Sequence, residues 1–243
     1  MLMPSTHLER KLTAFAHLNP DDLSALYSLH SRRRHFAAGS EIVHQGQHDQ
    51  TAYILTKGWV VSYKILSSGT RQIVDFQIPG DFLGMRSVLL RTSDHNVEGV
   101  TPVEAAEVHI SDLLQTLTMA PRLGLAIMWA ASRDEAMIVE HLVGLGRRNA
   151  GERTAHLLLE LAARLKLVAM GDKTGYDCPL SQYMLADALG LSAVHVNRVL
   201  RELRELGLVT FQNGRVQFDD FDGLVKFADF DRTYLDHDGP LLR

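Results

Sequence analysis

The apolar positions change period twice along this chain. Over residues 8–30 they recur every three or four places: Leu8, Leu12, Phe15 and Ala16, then Leu23, Leu26 and Tyr27, with His30 closing the second stripe. That rhythm reads as two short amphipathic helices. Asn19-Pro20-Asp21-Asp22 separates them, since proline suits a first helical turn and the acids suit the positive end of the helix dipole. From residue 33 to 110 short β-type runs alternate with glycines. Residues 52–55, 59–66 and 71–76 are expected strands, joined by turns at Lys57-Gly58 and 67–70, and 97–110 carries further strand signal. Strands at this spacing suggest a small antiparallel β-roll or jelly roll.

After Pro121 the period lengthens again. Leu123, Ile127, Ala130, Met137, His141 and Leu145 follow a 3–4 rhythm, and Met128, Trp129, Ile138 and Leu142 make a second apolar edge. A helix of about 25 residues is roughly twice the average length. Two apolar edges imply two covers. The second is either more of the same core or a partner helix across a homodimer, and the dimer is the reading adopted. Gly144 and Gly146 are expected to loosen this helix, and Asn149-Ala150-Gly151-Glu152 has the spacing of a capping box for the next one, over 153–167.

The informative stretch is 180–218. Ser181 is a good N-cap for a helix over 182–189 that Gly190 stops, and Ser192 is an N-cap for a second helix over 193–206 that Gly207 stops. Helix, tight glycine turn, helix is the helix-turn-helix arrangement. Leu185, Ala186, Leu189, Leu191, Val196, Val199, Leu200 and Leu203 fall where its inside must be filled. Residues 208–211 and 215–218 flank Asn213-Gly214, which favours a tight primed hairpin, the wing of a winged helix. Such a unit enters the major groove by the start of its second helix, whose outward residues are Ala193, Val194, His195, Asn197 and Arg198, with Arg201 one turn on. Arg198 offers a bidentate fork to guanine, or alternatively pairs with Glu202 at i+4, and Asn197 suits adenine. Ser181 and Ser192, with the backbone N–H groups at their helix starts, suit phosphate contacts, and Gln182 completes the candidate DNA-binding set.

Composition narrows the class without naming it. The 243 residues are 46% hydrophobic and 22% charged, with 25 Lys+Arg against 29 Asp+Glu. A mildly acidic chain does not coat nucleic acid by bulk charge. The segment 178–215 holds Arg198, Arg201, Arg204 and Arg215 against Asp187, Glu202 and Glu205, so it too is near neutral. Weak non-specific affinity and strong dependence on the correct site are therefore expected. The single cysteine, Cys178, excludes an internal disulfide and a Cys-based zinc or iron–sulfur site within one chain, and reads as a small semi-buried hydrophobe or a redox switch. No apolar run spans a membrane, and the start lacks the apolar stretch of a signal peptide, so a cytoplasmic protein with no membrane partner is expected.

The run Leu189-Gly190-Leu191-Ser192-x-x-His195-Val196-Asn197-Arg198-Val199-Leu200-x-x-Leu203-Arg204 resembles the recognition segment of the cyclic-AMP receptor protein/fumarate–nitrate regulator (Crp/Fnr) superfamily. The likeness extends to Gly69-x-Arg71-Gln72-Ile73-x-x-Phe76-x-Ile78-Pro79-Gly80-Asp81-Phe82 and to Gly146-Arg147-Arg148-x-Ala150. The resemblance implies an α+β chain. An N-terminal antiparallel β-roll (jelly roll) with flanking helices forms an effector domain over 1–119, a long dimerisation helix spans 120–146, and a C-terminal winged helix-turn-helix occupies 147–243. It also implies a homodimeric, non-enzymatic transcription regulator whose partners are palindromic double-stranded promoter DNA and RNA polymerase.

The effector residues depart from the family pattern. The candidate pocket comprises Phe76, Gly80, Asp81, Phe82, Leu83, Gly84, Met85, Arg86, His95, Asn96 and Ile138. Where cyclic-nucleotide members have a ribose-binding Glu, this chain has Met85, and the best match to their phosphate-binding Arg-Ser/Thr pair is His95-Asn96. Their adenine-contacting pair on the long helix is matched by Ile138-Val139. Methionine does not accept from a ribose hydroxyl and a neutral histidine lacks the arginine fork, so cyclic AMP is not the expected effector and no cofactor is assigned. Arg86 offers an alternative anion site, which keeps open a cyclic-nucleotide regulator with an altered pocket. The family's usual recognition-helix Glu is Val194 here, which points to a thymine methyl in place of cytosine N4. The histidines His44, His48, His95 and His109 raise the rival reading of a small-molecule or metal enzyme on the β-roll. The His-x-His pair such a jelly-roll enzyme needs is absent, and no metal ligands are assigned.

Overall fold

The computed structural model describes residues 5–48, 51–85, 88, 90 and 92–235. It divides into two compact units, the first built mainly from residues 1–70 and 74–132 and the second mainly from 133–236.

Two four-stranded antiparallel sheets form the first unit. One has the order β1-β8-β3-β6, from β1 (Arg33–Phe36), β3 (Ala52–Lys57), β6 (Phe82–Leu83) and β8 (Val103–Val108). The other has the order β2-β7-β4-β5, from β2 (Glu41–Val43), β4 (Val60–Ile65), β5 (Arg71–Gln77) and β7 (Asn96–Gly99). In the first sheet the central strands β3 and β8 are covered on both faces. Leu55, Val103 and Ala105 join Ile42, Val43, Val60, Leu83 and Val97 in the interior of the roll. Ile54, Ala52, Ala106 and Val108, one place out of phase, instead meet helix residues Leu8, Leu12, Leu26, Leu123 and Ile127. This double burial explains why β3 reads as an unbroken apolar run where a half-exposed strand would alternate.

The flanking helices are α1 (His7–Thr13), α2 (Pro20–Leu29) and α3 (Ile110–Met119), followed by the long α4 (Pro121–Arg147). Asn19 caps α2 with Asp22 in a reciprocal box, as the Asn-Pro-Asp-Asp run implies. Helix α3 carries no expectation in the pattern above, and 97–110 is two strands' worth, β7 and β8, parted by residues 100–102. The long helix runs unbroken through Gly144 and Gly146 to Arg147, contrary to the looseness expected there. A helical glycine costs only about 1 kcal/mol. The last turn is held besides by Arg148, which donates to Glu140 Oε2 at 2.8 Å, and by Arg153, which donates to the Leu145 carbonyl at 3.4 Å.

In the second unit α5 (Ala150–Leu167) starts at the Asn149–Glu152 capping box, with both reciprocal bonds present. Helices α6 (Gln182–Leu189) and α7 (Ala193–Glu205) follow, then β10 (Val209–Gln212), β11 (Arg215–Phe218) and α8 (Phe221–Ala228). A short strand β9 (Gly175–Asp177) adds a third member to the wing, in the order β10-β11-β9. A 3-10 turn at Arg232–Leu235 ends the described chain.

Candidate nucleic-acid interface

The two helices of the motif begin and stop where the local chemistry dictates. Ser181 Oγ accepts from the Met184 amide at 3.2 Å, and Ser192 Oγ accepts from the His195 amide at 3.2 Å. Between them Gly190 sits at φ 62°, in the left-handed region that favours glycine, which lets Leu191 N–H reach back to the Ala186 carbonyl at 3.0 Å. Val196, Val199, Leu200 and Leu203 are buried at i, i+3, i+4 and i+7 on α7, and Leu185, Ala186 and Leu189 on α6; Leu191 is half-buried. With the apolar stripe turned inward, the opposite face of α7 is set in solvent.

That outward face carries the residues the pattern singles out. Gln182, Ala193, Val194, Asn197, Arg198 and Arg201 line one open groove of about 440 Å³, together with Tyr183. Ser181 and Ser192 are exposed at the two helix starts, and His195 is half-buried. Within the groove Asn197 Nδ2 donates to Gln182 Oε1 at 3.0 Å, a bond from one helix to the other. Arg198 lies 3.7 Å from Glu202 and Arg201 lies 3.8 Å from Glu205, all four side chains more than half exposed. Exposed i,i+4 pairs of this kind contribute little, so both guanidinium groups exchange a carboxylate for a phosphate or a base edge at small cost. Tyr183 is the groove residue that the sequence pattern misses. It is 74% exposed at the second position of α6, and an aromatic so placed, outside the apolar stripe, is the signal that was available.

The wing turns as Asn-Gly requires: Asn213 has φ 51° and Gly214 φ 73°, the two positive values of a primed turn. Arg215 Nη1 donates to Asp177 Oδ1 at 2.9 Å across the β11–β9 pair. The Cys178 thiol is buried, and burial pushes it up to about 12.

The candidate effector residues fall largely into packing roles. Phe76 is buried, Phe82 belongs to the helix-side core and Leu83 to the roll interior, and Met85 packs on the helix-side core. Asp81 is buried and accepts from Lys11 Nζ at 2.8 Å and from the Ile78 amide at 2.9 Å. Gly80 sits at φ 98°, so close to the His7 backbone that a Cβ would stand 3.0 Å from it. Gly84 is buried at φ 65°. His95 Nδ1 lies 2.8 Å from Asp94 Oδ1, and Asn96 Oδ1 accepts from the Gln45 amide at 2.9 Å. Ile138 lies on the part of α4 that belongs to the second unit, and Arg86 lies outside the described residues. A polar pair that no motif flags lies inside the roll. Gln77 Nε2 donates to Ser62 Oγ at 2.8 Å, and Ser62 stands opposite Val97 of the interior core. Gln77 Oε1 is buried with no hydrogen-bond partner among the described residues. The described residues gather no three His, Cys, Asp or Glu side chains as a metal needs.

Known proteins share both parts of the chain. Residues 33–119 match the cyclic nucleotide-binding domain, and 152–227 match the Crp-like helix-turn-helix domain. The nitrogen fixation regulation protein FixK of Bradyrhizobium diazoefficiens is 31% identical over 185 residues, covering 76% of this chain and 77% of its own. FixK of Azorhizobium caulinodans is 33% identical over 181 residues, 74% of this chain and 72% of the relative. The solved structure of FixK2 from Bradyrhizobium japonicum superposes with a TM-score of 0.72 at 25% identity, over 80% of this chain and 96% of that one.

Proposed function

Since this chain belongs to the Crp/Fnr family of DNA-binding transcription regulators, and is not an enzyme, we propose that it reads its promoter as a homodimer through the groove between α6 and α7. One observation carries the reading. Six residues selected from the sequence for base or phosphate contact line a single solvent-open groove, beside two helix starts whose caps are formed. Arg198 takes guanine through its fork, Asn197 and Gln182 present amides to neighbouring base edges, Val194 and Ala193 supply apolar contact, and Arg201 together with Ser181, Ser192 and the first-turn amides hold phosphates. His195 sits at the same helix start.

The dimer reading rests on α4. Leu125, Met128, Val139 and Leu142 are 42%, 59%, 53% and 70% exposed on that helix, an apolar edge that a second copy would cover. No helix among the described residues is long and apolar enough to cross a membrane. We place the protein in the cytoplasm, with RNA polymerase as its further partner at the promoter. The β-roll is proposed as an effector domain that does not take cyclic AMP. The side chains at the family's ligand-binding positions are here a core methionine, Met85, and His95, which is engaged by Asp94.

Selection from a random-sequence DNA pool tests the main claim: a palindromic consensus is expected, and binding without sequence preference would sink it. Sedimentation at micromolar concentration should give twice 27.1 kDa. Calorimetric titration with cyclic AMP and cyclic GMP should show no micromolar binding.

A further inference from the structure

Beyond the long helix, the described residues leave three large apolar side chains well exposed, and two of them share one groove. Val194 stands in the first turn of α7, two places after the Ser192 cap. Tyr183 stands in the first turn of α6, two places after the Ser181 cap. The third, Leu206, lies past the far end of α7. Apolar side chains scattered singly over a surface need no explanation. A pair brought into one groove by two different helices, each at the end that carries a formed cap, is not scatter.

The rest of the lining indicates what the pair faces. It is two guanidinium groups, Arg198 and Arg201, two amides, Gln182 and Asn197, and Ala193. Both arginines have only long, exposed carboxylate contacts. An apolar protein segment has no use for such a rim, whereas an anionic backbone with an apolar group between its strands has. The alkyl group that a base pair presents in the major groove is the 5-methyl of thymine. A valine side chain neither donates nor accepts, so at a base edge it discriminates only through contact with that methyl. Its branched Cβ leaves essentially one rotamer in a helix, so little freedom is lost when the methyl docks. Ala193, the neighbouring small residue, lets the start of the helix approach the base edges closely.

We propose that Val194 and Tyr183 are specificity-determining residues that together read the 5-methyl group of one pyrimidine in each half-site. Val194 meets it from the second helix of the motif, and the Tyr183 ring, a large rigid apolar surface, covers it from the first. The inference rests on the DNA reading proposed above and adds the chemical class of the base edge. That class is a 5-methylpyrimidine, thymine or 5-methylcytosine, in preference to uracil or cytosine.

The test changes one methyl at a time on the palindrome selected above, with the full chain and binding read by fluorescence anisotropy. Replacing thymine by uracil should weaken wild-type binding roughly fourfold per half-site at one position, the worth of one buried methyl, and by less elsewhere. At that position 5-methylcytosine should bind better than cytosine by a similar factor. Val194→Ala and Tyr183→Ala fall at exposed positions and leave the core intact. Each should shrink the methyl effect, so that the protein and DNA changes are not additive. Tyr183→Phe keeps the ring and should keep the effect in full. A defined palindrome on which no uracil exchange alters affinity would overturn the methyl reading and leave the DNA reading standing, as would a methyl effect unchanged in both alanine variants. Assembly of the free chain beyond a dimer, abolished by Val194→Ala and accompanied by no methyl effect, would assign the wall to a second copy instead. Binding without sequence preference would overturn both readings.

Discussion

Asn197 of α7 donates to Gln182 of α6 across 3.0 Å, both in the lining of the groove where the two helices face solvent. The bond orients the Asn197 amide. It takes one of the two N–H donors and leaves the other, with the oxygen, for an adenine-type bidentate contact. Arg198 stays available as well, since its contact with Glu202 is long and exposed.

Arg198→Ala should cost about 1–3 kcal/mol at the selected site, with relaxed preference at one base pair, whereas Arg201→Ala should weaken all sequences alike and lower the salt slope by about one. Fluorescence anisotropy on cognate and scrambled duplexes across a salt series measures both. Equal effects of the two substitutions on cognate and scrambled DNA would refute the division of roles.

Val194 is 82% exposed beside Tyr183 in the groove, an apolar wall in a surface that should be polar. Val194→Glu should move the selected base at one position of each half-site toward cytosine, because a carboxylate accepts from cytosine N4 where valine meets a thymine methyl. Tyr183→Ala should cost about 1 kcal/mol or more at the wild-type site. Repeated selection with each variant gives the answer, and an unchanged consensus for Val194→Glu would remove valine from base reading.

Acid should destabilise the second unit before ordinary carboxylates titrate. Burial, then the nearby Arg148 charge, lowers His156 to about 4, against the opposing influence of Glu160 and Glu140; His141 adds to the lowering. Below pH 6.5 the unfolded chain takes up a proton at this ring that the folded chain refuses until about pH 4, so stability falls as pH falls through that window. The full extent is on the order of 3 kcal/mol. Glu160, with its folded pKa depressed, gives stability that is present above the unfolded value and lost at still lower pH. Urea midpoints from pH 7 to 4 should therefore drop in the wild type and drop less in His156→Leu. Parallel curves would count against the assignment.

Cys178 should be silent. Its thiol is buried and pushed up to about 12, so the reactive thiolate is scarce at neutral pH. A thiol reagent should label the chain only in denaturant, and peroxide should leave DNA binding unchanged. Stoichiometric labelling of the folded protein would show instead that the switch reading was the better one.

Much of the DNA-reading unit was legible because its signals are local. Ser181, Gly190 and Ser192 act on amides within five residues of themselves, Asn149 and Glu152 bond to each other, and Asn213-Gly214 sets its own turn. The apolar period of α7 needs only to know that one face is wet. The three-residue strand β9 was missed because its place in the wing comes from pairing with β11, about forty residues on, and not from its own composition. Helices α3 and α8 were passed over as well, although Asp220 caps the latter within three residues.

The sequence by itself determined the helix-turn-helix and its wing hairpin, their caps, and which side chains of α7 face outward, since these follow from backbone preferences and burial periodicity along one segment. Only the tertiary structure decided that β3 is covered on both faces, that Asp81 pairs with Lys11, and that Gly144 and Gly146 stay helical. It also decided that Glu160, His141 and Tyr234 meet. Those outcomes depend on partners up to seventy-four residues away, and a buried polar group is stable only beside the particular partner that the folded chain brings to it.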